Sequence, residues 1–138
     1  MADLPTSFHL TVVTRERKIV ETDAVEVVLP ASDGEIGVLP GHTPLLTLLK
    51  VGVMRYRTNG NSQSLVLSWG FAEILGDRVI VMAETARLPE EFDAASADAE
   101  RVKLERELAD LTSHDPQFAI VEGKLEESVA MINLHRGM

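Results

Sequence analysis

Four histidines, at positions 9, 42, 114 and 135, are scattered without the short spacings that let two side chains grip one metal ion. They read as solvated or locally hydrogen-bonded residues. Asp33-Gly34-Glu35 begins like a calcium loop, but the further alternating oxygen ligands and the closing Glu are missing, so it reads as a turn. Glu90, Glu91 and Asp93 could form an acid/base cluster. Carboxylates at that point also suit the positive end of a helix dipole, which is the preferred reading. The chain has no GxxxxGKS/T phosphate loop, GxGxxG fingerprint, HExxH pair or GxSxG elbow. With no Cys there is no disulfide, thiolate metal site or thiol nucleophile. The residues therefore nominate no catalytic group, no cofactor and no metal site.

The bulk properties narrow the remaining classes. A chain of 138 residues supports one ordinary core, or a small core with an appendage. Apolar residues make up 45%, which is the composition of a folding chain. Thirteen Lys and Arg against 22 Asp and Glu remove long-range attraction to phosphate backbones and anionic lipid. Nucleic acid is thus a poor partner. The opening MADLPTSFH has neither a basic segment followed by an apolar run nor an Arg-rich transit pattern. The most apolar stretch, residues 38–53, is broken by Pro40, Gly41, His42, Pro44, Lys50 and Gly52, so it cannot supply the roughly 20 apolar residues of a spanning helix. Membrane association is expected through a protein partner alone.

Two grammars divide the chain. Up to about Leu88, short apolar runs alternate with polar residues and are separated by Gly, Pro, Asn and Asp. Phe8, Leu10 and Val12 alternate with His9 and Thr11, and residues 15–18 form a charged turn leading into a second strand at Ile19 and Val20. Further strands are expected at 24–29, 53–57, 64–67, 71–75 and 79–82, with hairpin chemistry at Asn59-Gly60 and Gly76-Asp77. Short segments near Ile36 and Leu46 bring the count to nine or ten, a sandwich or flattened barrel. After Pro89 the residues become Ala, Glu, Leu, Asp and Arg, with no Gly or Pro until the SHDP at 113–116. Phe92, Ala95, Ala99, Val102, Leu108 and Leu111 form one helical stripe. Asp115 caps a second helix with Pro116 at its first position, striped by Phe118, Val121, Leu125, Val129 and Ile132 and weakened by Gly123. Two helices of roughly 20 residues make an antiparallel hairpin. Its sparse stripes can satisfy few contacts at once, so its docking is expected to be reversible.

The informative stretch is 29–53, LPASDGEIGVLPGHTPLLTLLKVGV. Three Gly, two Pro and one His within 34–44 fix successive turns, while Ile36, Val38 and Leu39 place apolar side chains on what reads as an exposed loop. Spacing leaves two readings open: these three tuck into the sandwich, or they meet a partner.

The segment SDGEIGVLPGHTPLLTLLKVG resembles the signature loop of the epsilon subunit of bacterial F-type ATP synthase, the delta subunit in mitochondrial nomenclature. The resemblance continues through FHLTVVTRER at the start, LSWGFAEILGDRVIVMAETA near the end of the sheet region, and the two-helix tail. It implies an α+β chain with a ten-stranded β-sandwich over residues 1–88 and an antiparallel helical hairpin, mobile and regulatory, over 89–138. It further implies a non-catalytic rotor subunit, peripheral on the cytoplasmic side of the inner membrane, whose sandwich binds gamma and the c-ring. Glu35, Gly37, Pro40, Gly41 and His42 would face the ring. An extended tail would reach the catalytic alpha and beta subunits.

Some relatives bind ATP through an Ile or Leu, Asp, two variable residues, Arg, Ala pattern at the start of the tail. Here Phe92, Asp93, Ser96 and Ala97 occupy it, and Ser96 removes the guanidinium that would meet phosphate, so ATP binding is expected to be weak or absent. Residues 90–138 carry five basic and twelve acidic side chains, a net charge of −7, against −2 for the rest. That charge opposes insertion beside acidic surfaces, so inhibition of hydrolysis is expected to be weak. The competing reading is a free-standing β-sandwich adaptor for a peptide or carbohydrate, with the hairpin as a dimerisation arm.

Overall fold

The computed structural model describes residues 5–137, so the first four residues of the opening segment read above as leaderless lie outside the described residues. Eight strands precede two helices. In chain order they are β1 (Phe8–Val13), β2 (Lys18–Ala24), β3 (Glu26–Ala31), β4 (Gly34–Val38), β5 (Leu45–Leu49), β6 (Gly52–Thr58), β7 (Asn61–Leu75) and β8 (Arg78–Arg87). A 3-10 turn at Pro89–Glu91 leads into α1 (Ala94–Ala109) and α2 (Pro116–His135).

The strands run in the order β2, β1, β8, β7, β5, β3, β4, and β6 bridges β3 and β7. Pairing is antiparallel except between β1 and β8. Because β7 pairs with β6 through its first half and with β5 through its second, the sheet wraps over itself into a β-sandwich. Alternation along each strand sends one set of side chains into a single core, including the fully buried Leu10, Leu29, Met54, Leu65, Ile74 and Val81. Each such side chain contributes about 1.5–3 kcal/mol by leaving water.

Eight strands stand where nine or ten are expected from the pattern and ten from the resemblance; the segments read as separate at 64–67 and 71–75 form one continuous β7. Trp69, with φ 47°, and Gly70, with φ 145°, bend that strand without ending it. Leu65 and Leu67 face the core before the bend, whereas Ala72 and Ile74 do so after it. The bend therefore resets the alternation by one residue while both halves keep an apolar face inward. Gly70 is required there, since a Cβ would lie 2.0 Å from the carbonyl oxygen of Met82.

The hairpin is also corrected in detail. α1 spans 16 residues and buries Ala97 and Leu104, while Ala95 and Ala99 of the expected stripe are exposed. α2 buries Val121 and Ile132 as expected, but Ser128 and Ala130 are buried where Val129 is exposed. The stripes shift because each helix faces both its partner and, for α2, strands β6 and β7. Asp115 accepts from the N–H of Gln117 at 2.8 Å, with Pro116 in the first turn.

Candidate functional site

The stretch around residue 36 is mostly strand. Gly34–Val38 pairs with β3, so Val38 is buried and Ile36 packs half-buried against the core. Leu39 alone of the three apolar residues projects, at 56% exposed. Glu35 and Gly37 lie exposed on β4, whereas Pro40, Gly41 and His42 form the turn beyond its far end. Three residue steps of strand, roughly 10 Å, separate Glu35 from Val38 at the end of β4.

The turn is stiff. The His42 N–H donates to the Leu39 carbonyl at 3.1 Å, and the Gly41 N–H donates to Gly76 of the β7–β8 turn at 3.2 Å. His42 Nδ1–H donates to the Thr43 carbonyl at 2.6 Å. Gly41 has φ 84°, which an L side chain rarely adopts, and a Cβ there would press on Pro5 at 3.2 Å. Glu35 belongs to a second neighbourhood: Arg55 of β6 donates to it at 3.4 Å, and both line a groove with Lys50, Glu126 and Asn133. Burial, and then the nearby Glu122, raise the pKa of Glu126 there, with Lys50 acting in the opposite direction.

A larger surface was not legible in any one segment. Val13 lies opposite Met82, Met82 opposite Phe71, and Phe71 opposite Leu48, a row across β1, β8, β7 and β5. Their chain neighbours Val12, Val81, Ala72 and Leu49 are all buried in the core, so the four point outward. Leu48 is 66% exposed, Phe71 42%, and Leu46, one step along β5, 67%. Three exposed apolar side chains, with the half-buried Val13 and Met82 continuing the row, make a contiguous apolar strip rather than the scattered exposure normal for a soluble surface. The signal available in the sequence was LLTLL, whose alternation cannot place apolar residues on one buried face only.

The hairpin covers a different part of the sandwich. Glu127 of α2 accepts from Ser68 Oγ at 2.7 Å and from Arg87 Nε at 2.6 Å. The indole of Trp69 lies against Gly123. A cleft of about 790 Å³ between the two helices and β7–β8 is lined by Trp69, Thr85, Phe92, Ser96, Ala97 and Glu100, among others. Phe92, Ser96 and Ala97 of the degenerate ATP pattern thus reach this cleft. Asp93 is occupied as the cap of α1, accepting from the Ser96 N–H at 2.7 Å and from Ser96 Oγ at 3.0 Å, which lowers its pKa. Glu84, Glu100 and Glu127 outnumber Arg87 and Lys124 in the lining, a poor balance for a polyphosphate. Among the described residues no group of three or more His, Asp or Glu side chains is arranged to hold a metal ion.

Residues 7–89 match the family described as ATP synthase, Delta/Epsilon chain, beta-sandwich domain. The chain belongs to that family. The ATP synthase epsilon chain of Citrifermentans bemidjiense is 38% identical over 122 residues, 88% of each chain. The epsilon chain of Koribacter versatilis is 40% identical over 108 residues, 78% of this chain and 74% of that one. A chain in a structure of the Euglena gracilis mitochondrial ATP synthase, containing OSCP, F1 and c-ring, shares the fold. Its TM-score is 0.82 at 21% identity, covering 99% of this chain and 84% of that one. Epsilon chains are non-catalytic stalk components of the synthase, and this chain is not itself an enzyme.

Proposed function

We propose that this epsilon-family chain is a rotor element of an F-type ATP synthase, docked on gamma through its uncovered apolar sheet face. The carrying observation is the outward row Val13, Met82, Phe71 and Leu48, with Leu46 beside it, on a rigid sandwich. Torque transmission needs an interface that resists shear, and a preorganised sheet supplies one with little ordering cost on association. The 1–88 region is the docking platform. The stiff turn of Pro40, Gly41 and His42, together with Glu35 and Gly37 on β4, faces the polar loops of the c-ring and sets orientation more than affinity. The chain is peripheral to the cytoplasmic side of a bacterial inner membrane and reaches it through the complex.

The 89–138 hairpin is regulatory in this reading, with weak inhibition because its net charge of −7 opposes approach to acidic surfaces of the alpha and beta subunits. Removing it should leave ATP hydrolysis by the assembled synthase little changed.

The docking test pairs Leu48→Lys with Phe71→Lys in the full chain and measures binding to purified gamma. Two exposed positions should leave the melting curve unchanged while affinity falls about 30-fold or more. Unchanged affinity would refute the docking face. Cysteines introduced singly at Glu35 and His42, in a chain with none of its own, should cross-link to c-ring or gamma in native membranes.

A further inference from the structure

We infer that the cleft between the two helices and strands β7 and β8 is a binding site for an amphipathic organic cation, a protonated amine carried on an apolar body. The inference does not depend on the rotor reading above, since none of Val13, Met82, Phe71 and Leu48 lines this cleft.

The cleft can receive the apolar body. At about 790 Å³ it lies in the size range that holds a small organic ligand. Leu104 of α1, Ile120 and Met131 of α2, Phe92 and Trp69 give it apolar lining. Trp69 is held at φ 47° and leaves its large ring 46% exposed. Backbone strain that displays an aromatic ring at the mouth of a cavity is characteristic of a binding position. Gly123 leaves room beside the indole, and among the described residues no acceptor takes the indole N–H.

The charges set the sign of the ligand. Glu127 and Arg87 neutralise each other across 2.6 Å. The lining then keeps Glu84 and Glu100 against Lys124, and none of the three has an ion pair among the described residues. Ser68 pairs with Thr85 and Gly70 with Ala83, so the register sets Glu84 opposite Trp69. A cation there would meet both a carboxylate and the negative face of an indole. A metal ion would find no group of three ligands among the described residues. Thr85 supplies an independent sign of a missing ligand. Its Oγ1 is shut off from water and lacks a hydrogen-bond partner, the only such side-chain atom among the described residues. Rotation about χ1 exchanges hydroxyl and methyl, and an amine N–H in the cleft that Thr85 lines would give the oxygen its partner.

The probe is phenylbutylamine, titrated into the full-length chain by calorimetry and by emission of the single tryptophan. Binding should saturate at about 1 mM or below, with a shift in Trp69 emission. Phenylbutanol, of the same shape without the charge, should bind about tenfold more weakly, and phenylbutyrate more weakly still. The double variant Glu84→Gln, Glu100→Gln changes two exposed side chains, so its melting curve should be unaltered. Its affinity for the amine should fall about tenfold while that for the alcohol stays unchanged. Glu122→Gln, on α2 outside the lining, should change neither. Thr85→Val should weaken the amine about threefold without lowering Tm, because it removes an unpaired hydroxyl. No saturable response to the amine, equal affinity for amine and alcohol, or an amine affinity unmoved by the double variant would overturn the site. An affinity unmoved by Thr85→Val would overturn the hydrogen bond. Gamma is absent from every arm, so these outcomes and the docking measurement fail separately.

Discussion

Replacing Gly70 by alanine should destabilise the sandwich far more than a single methyl group normally does. The Cβ would lie 2.0 Å from the Met82 carbonyl oxygen, 2.9 Å from Ala83 Cα and 3.0 Å from the Met82 carbonyl carbon. All three are backbone atoms of the paired strand β8, so no side-chain rotamer relieves the overlap. Holding an L residue at φ 145° costs about 1–3 kcal/mol. Forcing the strands apart adds about 1–3 kcal/mol of overpacking, together with about 1 kcal/mol for each ladder hydrogen bond lost. A total near 4 kcal/mol corresponds to a fall in Tm of about 16–32 °C for a domain of this size. Thermal unfolding followed by circular dichroism, with urea titration as a second measure, provides the assay. A fall of less than about 5 °C would refute the claim that the Trp69–Gly70 bend is rigidly required. The same variant should weaken gamma binding, because the bend aligns Phe71 with Leu48.

Four further outcomes follow from the same geometry. Gly123→Ala should raise stability by about 1 kcal/mol in urea titration, since the added Cβ would meet Trp69 Nε1 at an ordinary 3.5 Å and remove the helix penalty of glycine. ATP at millimolar concentration should leave Trp69 emission unchanged, because the adjoining cleft has an acidic balance and Ser96 offers no cation. His9, hydrogen-bonded at 3.2 Å to Asp23 and at 3.2 Å to Glu21, has a pKa raised above 6.5. Its stabilisation is complete below 6.5 and lost as pH rises through the raised value, so His9→Gln should flatten stability across that window. Glu91 is the opposite case: Arg17, then the Leu88 N–H, lower its pKa below 4.5. That stabilisation is present above 4.5 and lost as pH falls through the lowered value, a dependence that Arg17→Gln should reduce.

Much of the architecture was written locally. The period of 2 up to Leu88 and the helical period after Pro89 separate strands from helices, because backbone geometry fixes which side chains share a face. Asn59-Gly60, with Gly60 at φ 91°, and Gly76-Asp77 both turn between paired strands, and Asp115-Pro116 starts α2. The long stretch around Glu35 and His42 carried the family resemblance. The short strand read near Ile36 is present as Gly34–Val38, but the Gly and Pro around it also let the same residues read as an exposed loop.

Other features depended on tertiary structure. Alternation shows that Leu46 and Leu48 share a face, but only pairing across four strands sets Val13, Met82 and Phe71 in line with Leu48 and leaves the row uncovered. Glu127 meets Ser68 and Arg87 across 59 and 40 residues of chain, a separation that carries no local periodic signal. The sequence by itself determined which segments are strand and which helix, since those choices depend on neighbours a few residues apart. The tertiary structure decided which faces are buried, paired or free, since those depend on what the rest of the chain brings against them.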